Sequence, residues 1–180
     1  INSKTKAIIP VHVSGRGSEM KKILKIAKRH KIPVVEDAAE AFMSKYKNKY
    51  LGTFSKFGCF SLGIAKIITT GQGGFIVSHN KTDYETLNNI RDQAINSNLE
   101  NNQYNVVGNF KYNDIQAAIG LQQLKKINDR IKNQIQIYKT YEDNLKSVEF
   151  LKLVDIDIDN GCLPLRSDYL CTEPIKFINL

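Results

Sequence analysis

Two short apolar runs, 6–13 (KAIIPVHV) and 33–37 (PVVED), flank a charged amphipathic stretch, and that order leaves few folds open. A compact apolar run with β-branched residues, bounded by turn signals, reads as a buried strand. Between the runs, Ser14-Gly15-Arg16-Gly17-Ser18 reads as a turn. Ser18 is placed to cap a helix and Glu19 suits its first turn. The helix is predicted over 19–31, with Met20, Ile23, Leu24, Ile26 and Ala27 forming one apolar stripe. Strand, helix and strand within about 30 residues make a βαβ unit, expected to be parallel and right-handed.

The rest of the chain extends this α/β pattern. A polar stretch at 45–50 precedes a short buried strand, Cys59-Phe60-Ser61-Leu62. The turn Thr70-Gly71-Gln72-Gly73-Gly74 leads into a further strand, Phe75-Ile76-Val77-Ser78, and a helix is predicted over 82–93. Residues 94–106 are polar, rich in Asn, and read as a loop. From 113 to 147 no proline intervenes, and Ile115, Ala118, Ile119, Leu124, Ile127, Ile131, Ile135, Tyr138 and Leu145 recur at helical steps. One unbroken helix of that length would span roughly 50 Å, enough to join two domains or a domain and a partner subunit. The tail, 149–170, alternates strand-like segments with turns, and a new helix is predicted toward Leu180. The expected organisation is therefore part of a large α/β domain at 1–112, a connecting helix at 113–148, and the start of a small α+β C-terminal domain at 149–180.

Bulk properties narrow the function. With 180 residues, 42% of them hydrophobic, the chain can bury one sizeable core, and 24% charged residues argue against wholesale disorder. The longest apolar runs are far too short to span a bilayer, so no membrane partner is expected. The chain opens with neither an initiator Met nor an apolar signal sequence, so its N-terminus is expected to be missing. Cys59, Cys162 and Cys171 form no CxxC pair, and His12, His30 and His79 lie far apart. The expectation is a reducing, cytoplasmic setting with neither a disulfide framework nor a metal. The net charge of +8 is carried largely on the polar faces of predicted helices, which reads as solvated surface rather than a nucleic-acid site. Attraction for anionic phosphate substrates is compatible with it.

The residues able to carry chemistry are few. Asp37 ends an apolar strand, and open α/β sheets bind ligands outside the carboxyl ends of their parallel strands. A strand-end acid can equally be a cap. Lys66 stands in a stretch of small and apolar residues, Gly63-Ile64-Ala65, five residues after Ser61. Desolvation there would make the neutral amine available for Schiff-base chemistry, while a lysine snorkelling to the surface is the plainer reading. Gly71, Gly73 and Gly74 permit a tight turn after it. The string GRGSEM lacks the third glycine of a dinucleotide fingerprint. Each feature is weak alone. Together, an acid after a buried strand, a serine, a lysine and a glycine turn supply what a pyridoxal-phosphate site needs: a carboxylate for the pyridine nitrogen, donors for the phosphate, and an amine that holds the cofactor and moves protons.

At these residues the chain resembles the DegT/DnrJ/EryC1/StrS family of sugar-nucleotide aminotransferases. The likeness runs through Pro10 to Gly15, Glu36 to Ala41, Ser61 to Lys66, Thr69 to Gly74, and Asp114 to Gly120, and covers about residues 6–148. It implies a fold type I pyridoxal-phosphate transferase: a large α/β domain, here incomplete, a long connecting helix, and the start of a small domain. It implies pyridoxal 5'-phosphate as cofactor and transfer of an amino group, with glutamate as donor, to a keto group of a nucleotide-linked sugar. In that reading Lys66 carries the cofactor, Asp37 pairs with the pyridine nitrogen, and Ser61 binds the phosphate. Asn109 would reach the phosphate of the neighbouring subunit, making a homodimer with shared sites. Glu40 stands near the ring hydroxyl, where the family usually has Gln or His. Val107 and Lys111 also depart, standing where glycine and arginine are common. Family members carry roughly another hundred residues ahead of this start, so the segment alone is expected to be inactive. Two alternatives are a sugar dehydratase of the same family, in which the lysine is replaced by His, and a non-catalytic α/β scaffold module.

Overall fold

The computed structural model describes residues 1–93 and 107–178, so the expected loop at 94–106 lies outside the described residues. Its central sheet has the order β1 (Val35–Asp37), β4 (Phe57–Ser61), β5 (Gly74–Ser78). β1 and β4 are parallel, with Asp37 opposite Cys59, and β4 and β5 are antiparallel, with Ser61 opposite Gly74. The C-terminal ends of the two parallel strands and the glycine turn before β5 therefore share one edge.

The run at 6–13, expected as a full strand, lies parallel to β1 and meets it only at two isolated bridges, Ile8 with Val34 and Val11 with Asp37. The reason is Pro10. The Ile8 and His12 amides donate to the carbonyls of Pro33 and Asp37, and the Val35 and Asp37 amides donate to those of Ile8 and Pro10. The missing rung is the one Pro10 would donate, since proline has no N–H.

Helix α1 (Met20–His30) crosses from this segment to β1. Met20 and Ala27 are buried with Val34, and Ile8, Ile23 and Leu24 pack against them, whereas Ile26 of the expected stripe is exposed. Ser18 does not cap the helix. Its hydroxyl donates to the Val11 carbonyl and its amide to His12 Nδ1. Residues 45–50, read only as polar, form a hairpin of β2 (Lys45–Tyr46) and β3 (Lys49–Tyr50). Lys47 and Asn48 both take positive φ there, as a two-residue hairpin turn demands. Ala38, Ala41 and Leu51 form a second buried cluster, with Phe54 and Phe60 against it.

Helix α2 (Lys81–Arg91) begins at Asn80, whose side chain accepts from the Asp83 amide. The expected single helix at 113–147 is two: α3 (Asp114–Lys125) and α4 (Ile127–Leu145), broken at Lys126 with φ −106 and ψ 13. The two helices bury different faces. α4 turns Ile127, Ile131, Ile135 and Tyr138 inward, and Tyr138 is only 3% exposed. α3 turns Ala117 and Gly120 inward, against the 70–72 turn, and leaves Ile115, Ile119, Leu121 and Leu124 exposed. The chain ends in an antiparallel pair, β6 (Leu151–Leu153) with β7 (Tyr169–Cys171), followed by α5 (Pro174–Ile178). No helix among the described residues is long and apolar enough to cross a membrane.

Residues 161–168 return to the segments at 14–16 and 44–45. The Ser44 hydroxyl and the Leu163 main chain exchange hydrogen bonds, and the Leu165 amide donates to the Ser14 carbonyl. Arg16 donates to the carbonyls of Val154 and Asp155 and to the Asp168 carboxylate. Gly15 sits at this contact with φ +86, and a Cβ there would collide with the Leu163 carbonyl, so only glycine fits.

Candidate functional site

The strand alternation of β1 sends Glu36 and Asp37 to opposite faces. Asp37, at the strand end, stays half-buried and accepts the Ala39 amide at 3.0 Å, an Asx turn that orients its carboxylate at the sheet edge. Ser61 ends the adjacent strand, and its Oγ accepts the Gly63 amide at 3.2 Å. The chain then loops out and returns: the Thr70 amide and the Thr69 hydroxyl both donate to the Leu62 carbonyl, and the Lys66 amide donates to that of Gly63. This closed loop points Lys66 back toward the residues after β1. Its side chain is 17% exposed, and its Nζ lies 3.8 Å from Glu40 Oε1.

Glu40 is the junction of the site. Oε2 accepts the Ser14 amide at 2.9 Å, and Oε1 accepts Arg166 Nη2 at 2.8 Å while facing Lys66. A concavity here is lined by Ala39, Glu40, Phe42, Lys66, Ile67 and 163–165. The shelter of Lys66 thus comes from Glu40 and the returning C-terminal segment. The neighbours that suggested a dry lysine give little of it, since Ile64 is 81% exposed.

Behind the site, Glu36 and His12 are both fully buried. Glu36 accepts His12 Nε2 and the Gly52 amide on one oxygen, and the Phe54 amide, the Ser55 amide and the Ser55 hydroxyl on the other. His12 Nδ1 accepts the Ser18 amide, which fixes the ring proton on Nε2, pointing at Glu36. Burial pushes the Glu36 carboxyl up, but the His12 ring, the Gly52 and Ser55 amides and the Ser55 hydroxyl outweigh it and hold it below the ordinary carboxylate value. Glu36 thereby ties β1 to the segment that leads into β4. Burial and the nearby Asp37 push the Cys59 thiol up, which leaves it a neutral neighbour of the sheet edge.

Of the residues singled out in the sequence, Asp37, Glu40, Ser61 and Lys66 converge on one edge. Asn109 does not join them. It is exposed beside the end of α2, bridges to Asp92, and accepts the Lys111 amide at 3.4 Å. Sequence reasoning missed Glu36, Ser14 and Arg166. Alternation in β1 was a usable signal for Glu36. Arg166 had none, since it lies 126 residues from its partner.

The donor set suits the cofactor that the sequence suggested. A carboxylate at the parallel strand end can face a ring nitrogen, the Ser61 hydroxyl can meet an anionic ester, and the half-buried Lys66 amine beside Glu40 can reach a carbonyl.

A family model described as the DegT/DnrJ/EryC1/StrS aminotransferase family matches residues 1–164. The chain is 41% identical over 151 residues to GDP-perosamine synthase of Escherichia coli O157:H7, an alignment covering 82% of this chain and 41% of that protein. It superposes on Helicobacter pylori PseC, an aminotransferase of pseudaminic acid biosynthesis by its description, with a TM-score of 0.76, 30% identity, and coverage of 85% of this chain and 42% of that one. It also superposes on the E. coli GDP-4-keto-6-deoxy-D-mannose-3-dehydratase with bound hydrated PLP, with a TM-score of 0.77, 25% identity, and coverage of 96% and 48%. The chain thus spans less than half the length of these proteins.

Proposed function

Because this chain belongs to the DegT/DnrJ/EryC1/StrS aminotransferase family, we propose that the protein carrying it uses pyridoxal 5'-phosphate to move an amino group from glutamate to a keto group of a nucleotide-linked sugar. This activity serves amino-sugar and surface-polysaccharide biosynthesis, in a cytoplasmic homodimer with shared sites. The observation that carries the reading is the Lys66 amine, 17% exposed, at the edge where the ends of β1 and β4 present Asp37 and Ser61.

When bound, the cofactor supplies an electron sink for the charge that develops beside the transferred nitrogen. The residues of the chain do the rest. The Asp37 carboxylate, oriented by the Ala39 amide, holds a proton on the ring nitrogen. The Ser61 hydroxyl donates to the phosphate. Lys66 Nζ holds the cofactor and then moves a proton at the carbon that bears the amino group. Asn109, exposed beside the end of α2, would reach the phosphate of the partner subunit. Lysine at position 66, where the resemblance expects His in a dehydratase, favours amino transfer over dehydration.

Borohydride reduction of the full-length protein should leave the cofactor's mass on the peptide containing Lys66, and Lys66→Ala should abolish amino transfer. Cofactor found on any other lysine would overturn the assignment. Asp37→Asn should keep the fold and lose most activity, each tenfold loss reflecting about 1.4 kcal/mol of transition-state stabilisation.

A further inference from the structure

We propose that Arg166 receives the α-carboxylate of the amino donor, and that Glu40 stands in for that carboxylate while no donor is bound. The inference rests on the amino-transfer reading and names the residue that recognises the donor.

In amino transfer the donor's nitrogen takes over from Lys66 Nζ at the carbonyl carbon of the cofactor. Three bonds separate an α-amino nitrogen from an oxygen of its own carboxylate, a reach of roughly 3 Å. The donor's carboxylate must therefore settle close to Lys66 Nζ, and a cation there offsets the hydration it loses. The structure already holds a carboxylate in such a place. Glu40 Oε1 lies 3.8 Å from Lys66 Nζ and accepts Arg166 Nη2 at 2.8 Å. Amine, carboxylate oxygen and guanidinium stand in that order, and a bound donor would repeat it.

Arg166 has donors to spare. Among the described residues only its Nη2 makes a hydrogen bond, and the side chain is 54% exposed. A guanidinium fork meets a free carboxylate with two parallel bonds. Glu40 is able to give way, because Oε2 keeps the Ser14 amide when Oε1 leaves Arg166. Two carboxylates side by side repel, so the donor turns Glu40 aside as it binds. When the keto acid departs, Glu40 returns to Arg166. Neither neighbouring arginine offers the same place. Arg16 commits all three nitrogens, to Asp168 and to the carbonyls of Val154 and Asp155. Arg130 stands beside the Lys66 loop, but its Nη1 faces the Ile67 carbonyl at 3.5 Å rather than Glu40. Arg130 is therefore the control.

The test uses full-length protein with its cofactor bound, and 2-oxoglutarate, the keto acid of glutamate, which has no amino group to give. Arginine labelling by phenylglyoxal is followed peptide by peptide with mass spectrometry. Saturating 2-oxoglutarate should slow labelling of Arg166 about tenfold and leave Arg130 unchanged. In Glu40→Gln, protection should reach its midpoint at about tenfold lower 2-oxoglutarate, and turnover should fall because the keto acid leaves slowly. In steady state, Arg166→Ala should raise the KM for glutamate about tenfold with the KM for the ketosugar unchanged. Arg166→Lys should recover part of that loss, since it keeps the charge without the fork. Labelling of Arg166 at the same rate with and without 2-oxoglutarate would overturn the proposal. So would protection centred on Arg130, or protection of Arg166 by a nucleoside diphosphate and not by 2-oxoglutarate, which would make it a phosphate contact. Equal rises in both KM values would show that Arg166 only holds its segment in place. Should Arg166→Ala lose the fold by circular dichroism, Arg166→Lys against Arg166→Gln carries the same comparison. Release of 2-oxoglutarate by the wild-type protein and the borohydride experiment report on the amino-transfer reading itself, so its failure and the failure of this assignment are distinguishable.

Discussion

Glu36 and Glu40 stand one turn of chain apart at the same sheet edge, yet their carboxylates meet opposite surroundings. Glu36 is fully buried, and its five donors are three main-chain amides, a serine hydroxyl and a histidine ring with its proton on the facing nitrogen. Glu40 is 21% exposed, and two of its three partners are cations on long side chains from distant parts of the chain. Main-chain donors cannot move without unfolding the segment that carries them, so Glu36 is a fixture of the fold. Cationic side chains can move, so the charge balance at Glu40 can change while the fold stays. A carboxylate met by amides serves structure, and one met by amines and guanidinium is available to chemistry.

The largest effect that would test this division is at Glu36. Glu36→Ala takes the acceptor from the His12 ring and from the Gly52, Phe54 and Ser55 amides, the Ser55 hydroxyl keeping the Phe57 carbonyl, and should destabilise the full-length protein on the order of 3–5 kcal/mol in urea unfolding. A loss below about 1 kcal/mol would erase the distinction. The pH dependence follows from the same network. Because the folded-state carboxyl is held below its ordinary value, its contribution to stability is fully present above the unfolded carboxylate value, about 4.3, and is lost as pH falls through the lower folded value. Glu36→Gln should flatten that part of the acid-unfolding curve and leave the neutral-to-alkaline side parallel to wild type.

The legibility of these features from sequence followed the range of the interaction that made them. The strands of the central sheet, the crossover helix that brings the 6–13 run parallel to β1, and the glycine turn rest on local patterns, and they were readable, as was the family likeness that those motifs carry. Asp37 and Ser61 stood out because each ends a strand and Lys66 because it follows in a stretch of small and apolar residues, whereas Glu40 came only with the family likeness. What failed was tertiary. Nothing in the run 113–147 announces the break at Lys126, because neither proline nor glycine stands there. The helix carrying this apolar stripe was expected to join two domains or a domain and a partner subunit. In this chain Ile115 and Ile119 face outward and the small residues Ala117 and Gly120 face in. The hairpin at 45–50 was hidden because Lys47 and Asn48 adopt positive φ without the usual glycine. Pro10 did carry a readable warning: a proline inside a strand removes one rung, and the structure lacks that rung.

His12 offers a second, smaller test of the fixture. His12→Gln keeps an amide donor for Glu36 but offers no acceptor at the place of Nδ1, so the Ser18 amide loses its partner. Glu36 retains its other four bonds. The expected loss is about 1–2 kcal/mol, with faster hydrogen exchange at the Ser18 amide. An exchange rate equal to wild type would show that the histidine fills space and does not organise the turn into α1.

The smallest expected stability change is at Glu40, and it is the sharpest test of the comparison. Glu40→Gln removes a charge but keeps a carbonyl oxygen that can accept from either the Ser14 amide or Arg166. Arg166 is 54% exposed, so its freed guanidinium can be hydrated. Partly exposed ion pairs contribute about 0–1 kcal/mol, and the loss in urea unfolding should fall in that range. The acid limb set by Glu36 should be unchanged. Together, a near-native unfolding curve and a loss of amino transfer in the full-length protein would mark Glu40 as a group that serves chemistry without holding the fold. If Glu40→Gln instead unfolded the protein as readily as Glu36→Ala, the two carboxylates would belong to one structural network, and the exposed cations around Glu40 would have to be read as part of the scaffold.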